Sequence, residues 1–185
     1  MKNFIKVLTV LFFVCALNLY AQDKEDYSSE PGYVDFGNLS GFLKSDKVTE
    51  INLESYLLKM ASNLTANSDP EMSKMLNGLK LVKVYSFDAD AKDSKDLSNK
   101  ISEIDISLKN KNWDRIVKVK SSTEYTNVYV KSANNQKDIV GLVVTSLQKD
   151  GESAFVNIVG KIDMDALGRL GEKFDIPALG KAHKN

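Results

Sequence analysis

One cysteine, one histidine and three prolines in 185 residues remove whole classes of chemistry before any motif is sought. Cys15 sits inside an apolar run near the amino terminus, so a chain cut after that run carries no thiol. Disulfides, thiolate nucleophiles and Cys-ligated metals are then excluded. His183 lies third from the end in a polar stretch, a poor platform for the positioned base that a serine triad requires, and no Gly-x-Ser-x-Gly occurs. Charge of one sign is also lacking. The 25 basic residues balance 25 acidic ones, which leaves no electrostatic footprint for nucleic acid. Beyond the first 21 residues no apolar run approaches the roughly 20 residues that a membrane span needs.

What is present begins with an address. Lys2 and Lys6 form a short basic start, Val7 to Leu17 is uncharged and apolar, and Ala21 precedes the polar run Gln22 to Asp26. This is the layout of a secretory signal peptide over residues 1–21, with cleavage between Ala21 and Gln22. Cys15 is preceded by Phe13 and Val14 where a lipoprotein signal wants a small residue, so lipid anchoring there is not expected. Removal of the leader takes Lys2 and Lys6 with it and leaves 164 residues, 23 basic and 25 acidic. That length suffices for one domain with a proper core. The expected location is the periplasm or the medium.

Along the mature chain, residues 22–32 are polar, end in Pro31-Gly32 and read as a flexible leader. A single domain is expected over 33–178, followed by a polar tail at 179–185. Val48 to Leu53 suits a strand or the start of a helix. Glu54 to Ala66 carries Leu57, Leu58, Ala61 and Leu64 at helical spacing. Asp69-Pro70 opens a short helix, because Asp can cap and proline suits the first helical position; Gly78 closes it. Leu79 to Phe87 has strand composition. Leu97, Ile101, Ile104 and Leu108 make one face of a helix about five turns long.

After Trp113 the period changes to two. Arg115–Lys120, Tyr125–Lys131, Ile139–Leu147 and Ser153–Lys161 are four strands joined by short connections, which implies an antiparallel meander. Asp150-Gly151 is a hairpin signal between the last two. Ile139 to Val144 is almost continuously apolar and belongs in the middle of the sheet. Asp163 caps a final helix with Met164, Leu167, Leu170 and Phe174 on one stripe, stopped at Pro177. The order predicts an α+β two-layer sandwich, a mostly antiparallel sheet with helices on one face.

Two stretches then carry a likeness: Pro31-Gly32-Tyr33-Val34-Asp35-Phe36-Gly37, and Ala154-Phe155-Val156-Asn157-Ile158-Val159-Gly160-Lys161-Ile162-Asp163. Together they resemble a DUF-type family of short exported Bacteroidetes proteins of unknown function, some of them lipoproteins. The resemblance covers nearly all of the mature chain. It implies an envelope location, an α+β domain, no established activity and a place near regulators of envelope stress.

Chemical candidates are few. Asp88, Asp90 and Asp93 suggest a calcium loop, but Lys92 falls on the fifth position, Asp93 on the sixth where Gly is required, and Asn99 on the twelfth where Glu is required. A turn whose acids favour the next helix's positive end explains them. Asp163 and Asp165 are accounted for as a cap and a first-turn carboxylate. Gly168 and Gly171 lie on a helix without a glycine-rich loop before it, and so serve packing better than phosphate binding. Lys109, Lys111, Arg115, Lys118 and Lys120 around Trp113 read as a solvated helix end and strand face. No catalytic residue, metal ligand or cofactor site is assigned.

The most usable hint is on one strand. Tyr125, Asn127 and Tyr129 alternate with Thr126, Val128 and Val130. If the β-branched set packs under helices, the tyrosine set lies on an open sheet face, where aromatics favour recognition. The function expected is a non-catalytic domain binding an envelope protein or ligand through Tyr125, Asn127 and Tyr129. The alternative is an enzyme of unrecognised type relying on carboxylates.

Overall fold

The computed structural model describes residues 25–39, 48–88, 94–134, 138–148 and 152–162. Strand β1 (Val48–Glu54) runs directly into helix α1 (Ser55–Thr65). Helix α2 (Pro70–Gly78) starts as its sequence dictates: the Asp69 carboxylate accepts from the Met72 amide at 3.0 Å, and Pro70 occupies the first turn. Strand β2 (Leu79–Asp88) follows, then helix α3 (Ser94–Asn110), β3 (Asp114–Lys120), β4 (Glu124–Ser132), β5 (Ile139–Gln148) and β6 (Glu152–Ile162). Two residues past the end of helix α3, Asn112 takes the left-handed conformation (φ 57°). The Trp113 amide then turns back onto the Leu108 carbonyl at 3.0 Å. Lys131 of β4 adds a cation to that terminus, donating to the carbonyls of Lys111 and Asn112 at 2.6 and 3.1 Å.

The six strands form one sheet in the order β1-β2-β6-β5-β4-β3, and every neighbouring pair is antiparallel. The expected meander is therefore present as β3 to β6. β5 lies inside the sheet between β4 and β6, where its continuous apolar run can be covered on both sides. The turn at 149–151 and the helix expected from Asp163 lie outside the described residues.

The two-layer expectation is corrected. Adjacent residues of β4 enter different cores: Val128 and Val130 pack with Leu58 of α1 and Met75 of α2, whereas Tyr129 packs with Leu97, Ile101 and Leu108 of α3. Helices thus flank both faces of the sheet. The physical reason is the apolar stripe of α3, which buries Leu97, Ile101 and Leu108 completely and so occupies a face of its own.

The stretch 25–39 is part of the domain, and the flexible leader expected up to residue 32 is corrected for residues 25–32. Asn157 of β6, fully buried, donates to the Gly32 carbonyl at 2.9 Å and accepts from the Val34 amide at 2.9 Å. Its amide also donates to the Leu142 carbonyl at 3.1 Å. Val34 and Phe36 then enter the α3-side core, Phe36 meeting Phe155 at 5.5 Å between ring centres. Gly32 lies backbone to backbone on Gly141, an approach that any side chain would block. Lys80 and Glu30 form an ion pair at 2.6 Å. The two stretches that carried the family likeness are thus one structural clamp.

Candidate functional site

Helix α3 is apolar on its inner face except at Asp105, one turn beyond Ile101 and 7% exposed. A carboxylate can be buried there only if donors surround it. The Asn127 amide donates to both of its oxygens, at 3.2 and 3.0 Å, and the Tyr125 hydroxyl donates at 3.0 Å. Beside them Tyr129 is fully buried. Burial raises its phenol from 10.0 to about 12, the Asp105 charge adds to the rise, and Arg115 opposes it. The Arg115 guanidinium lies 5.9 Å from the centre of the Tyr129 ring.

Tyr125, Asn127 and Tyr129 therefore do share a face, and they converge on one carboxylate. That face is not open. Asn127 and Tyr129 are fully buried under α3 and Tyr125 is half-buried, so the expected exposed recognition surface is corrected. Polar character misled: these side chains are polar because they satisfy Asp105, not because they meet solvent. Asp105 itself was missed, since an acid at one position of a helix gives no sign of facing inward. The signal was its neighbours, because Asp105 falls between Ile104 and Leu108 on the apolar side of the wheel. Among the described residues, the Asn127 Oδ1 and Thr145 Oγ1 atoms are buried without a hydrogen-bond partner. Asn127 and Thr145 are direct neighbours across β4 and β5.

Tyr125 links this buried cluster to the surface. Its ring and Leu147 line a cleft of about 480 Å³ between the first turns of α3 and the β3–β4 turn. The walls carry hydroxyls: Ser98 and Ser102 from the helix, Ser121, Ser122 and Thr123 from the turn. The turn is held by Ser121, whose Oγ accepts from the Thr123 and Glu124 amides at 3.2 and 2.9 Å.

A second cleft, of about 350 Å³, is lined by Glu25, Asp26, Glu50 and Glu54, with Lys83 and Tyr33. The alternative of a carboxylate enzyme would need one acid held protonated near neutral pH. Glu25 and Asp26 are shifted the other way. Hydrogen bonds from Ser55 and Tyr27 lower Glu25, and those from Ser28 lower Asp26. Glu25 anchors the chain: it accepts from the Ser55 hydroxyl at 2.6 Å and from Tyr27, whose own oxygen accepts from the Ser55 amide at 3.0 Å. Lys83 packs over the Tyr33 ring at 5.5 Å.

Among the described residues no group of three or more His, Cys, Asp or Glu side chains could hold a metal ion. Of the calcium-loop acids only Asp88 is described, as the last residue of β2; Asp90, Asp93, Asp163 and Asp165 lie outside. Cys15, Ala21, Gln22, Gly168, Gly171 and His183 lie outside as well. Trp113 is buried against Gly141, so the basic residues around it have no exposed ring to interleave with. No helix among the described residues is long and apolar enough to cross a membrane.

A family model for a domain of unknown function, DUF4252, matches residues 42–170. The chain belongs to that family. No curated protein and no solved structure matches it. The matched span holds Asp105, Tyr125, Asn127, Tyr129 and Asn157, whereas Gly32 and Val34, the other half of the clamp, precede it. In this DUF4252 chain the stretch before the matched span therefore supplies core residues, Val34 and Phe36 among them.

Proposed function

We propose that this DUF4252 chain is an exported, non-catalytic binding domain of the cell envelope, and that its ligand enters the cleft between α3 and the β3–β4 turn. The observation that carries the reading is the double role of Tyr125. Its hydroxyl is fixed by the buried Asp105 carboxylate while its ring faces an open cleft. An aromatic held in place in this way loses little freedom on binding, which is how rigid anchors gain affinity. The surrounding hydroxyls both donate and accept, and Lys120 and Glu124 add one charge of each sign, so the cleft suits a polar ligand or partner segment. Glu25 and Asp26 of the other cleft are lowered by their hydrogen bonds, which suits neither to the part of a general acid.

The test is site-specific photo-crosslinking in the living cell. A photoreactive residue at Ser122, on the cleft rim, should yield a discrete adduct, and one at Lys74 on the exposed side of α2 should not. Equal adducts at both positions, or none at Ser122, would sink the cleft reading. Export is checked separately by intact mass. The mature species should begin at Gln22 without lipid, and a diacylated chain beginning at Cys15 would overturn that part.

A further inference from the structure

The sheet has two edges, and they are built differently. The β3 edge is guarded. Its register with β4 breaks at Ile116, and Asp114, Arg115, Lys118 and Lys120 place charge along its seven residues. A bulge and charged side chains, lysine above all, are how sheets stop a further strand from adding. The β1 edge has no bulge, and its charges are limited to Glu50 and Glu54. Its seven residues pair with β2 without a shift, from Val48 opposite Phe87 to Glu54 opposite Leu81. It contains no lysine, arginine or proline. Among the described residues no strand lies on its outer side.

We infer that two copies of the chain join through β1, strand against strand, in an antiparallel pairing centred on Ile51. The sequence of β1 selects this register. With Ile51 facing its own copy, Glu50 lies opposite Asn52, Thr49 opposite Leu53 and Val48 opposite Glu54, so no two like charges are opposed and all seven residues pair. A shift that puts Glu50 opposite itself keeps five pairs and opposes two carboxylates. A shift centred on Asn52 also keeps five and opposes Glu50 to Glu54. A displacement by one residue would oppose residues that point to different faces, so the partner copy would be turned over and its helices would lie on the other side of the sheet. The chosen pairing is isologous, with a two-fold axis normal to the sheet, so α1 and α2 of both copies stay on one side. The product is a continuous twelve-stranded sheet whose two remaining edges are the guarded β3 strands.

The test uses cross-linking, with Cys15→Ser removing the chain's one cysteine. Ile51→Cys should then form a disulfide-linked dimer under mild oxidation, because only residue 51 meets itself. Thr49→Cys should not. A second arm separates association from folding. Asn52→Glu puts carboxylates opposite Glu50 twice in the dimer and should weaken association about tenfold. Within one copy the same residue exchanges its 3.2 Å hydrogen bond to Glu54 for attraction to Lys83 opposite, so its thermal stability should change little. Asn52→Lys should strengthen association, because it would face Glu50 of the other copy. Sedimentation that shows a monomer at ~1 mM would overturn the inference. A dimer indifferent to both Asn52 variants, or one cross-linked by Thr49→Cys as well as Ile51→Cys, would overturn it too.

Discussion

Gly32 and Gly141 touch backbone to backbone: a methyl on Gly141 would come within 2.5 Å of the Gly32 Cα and 2.6 Å of Trp113 Cη2. A methyl on Gly32 would lie 1.9 Å from the Val140 carbonyl oxygen. None of these neighbours is the free end of a flexible chain, so relief requires the amino-terminal stretch to leave the sheet. Gly32→Ala should therefore cost about 3 kcal/mol or more, at the upper end of overpacking effects. Urea unfolding would measure it, and Gly32→Ala at wild-type midpoint would show that residues 31–36 are not docked as described.

Asp105 is the acceptor that holds the polar cluster beneath α3 together. Asp105→Ala strips the acceptor from the half-buried Tyr125 hydroxyl and the fully buried Asn127 amide together. At about 1–3 kcal/mol for each stranded group, a loss of roughly 3 kcal/mol is expected. Asp105→Asn keeps one acceptor oxygen and should lose about half as much. Equal melting temperatures for the two variants would mean that the carboxylate is not what holds the cluster.

Much of this fold was legible in the sequence because its signals are local. Asp69-Pro70 placed the start of α2, the Leu97, Ile101, Ile104 and Leu108 stripe found α3, and the alternation after Trp113 gave four strands in the right order. Which helix covers which face is not local. Val128 and Tyr129 are neighbours in sequence and belong to different cores, and a half-polar strand looks the same whether its polar face meets water or a buried acid. The tyrosine face was located correctly and misjudged as open, because its partner Asp105 lies 20 residues from Tyr125. The clamp was harder still to read, since Asn157 reaches Val34 across 123 positions.

Thr145 tests the accounting of buried polar groups by the sign of one change. Its hydroxyl is fully buried and unpartnered. Thr145→Val removes a polar group of nearly the same shape, so the melting temperature should stay level or rise. A fall of several degrees would mean that a buried water joins this hydroxyl to the neighbouring Asn127 Oδ1, because that water would lose a partner.

Ser55 controls a carboxylate 30 residues away. It is the first cause of the lowering of Glu25, so Ser55→Ala should move the Glu25 titration upward, read by NMR of the side-chain carboxyl. A folded pKa below the unfolded one stabilises the protein above the unfolded value, and that stability is lost as pH falls through the folded pKa. The acid limb of the stability profile should flatten in Ser55→Ala. An unmoved Glu25 titration would detach residues 25–27 from the start of α1.

Tyr129 makes the alkaline counterpart. Its phenol rises from 10.0 to about 12, first through burial, then through the Asp105 charge, with Arg115 opposing. Above about pH 10 the unfolded chain releases this proton and the native state keeps it, so the native state binds more protons and stability falls as pH rises. The contribution is whole below the unfolded pKa and disappears across roughly pH 10 to 12. Two units of pKa bound the loss at about 3 kcal/mol. Phenolate absorbance should show a late step near pH 12, and Tyr129→Phe should abolish that step. The same variant costs stability at neutral pH through the hydroxyl's lost 3.5 Å contact with Arg115, but should lose less between about pH 10 and 12 than the wild type does. If the late step persists in Tyr129→Phe, the slow phenol is another one. If it never existed, solvent reaches Tyr129, and the packing of α3 over β4 is looser than its buried stripe requires.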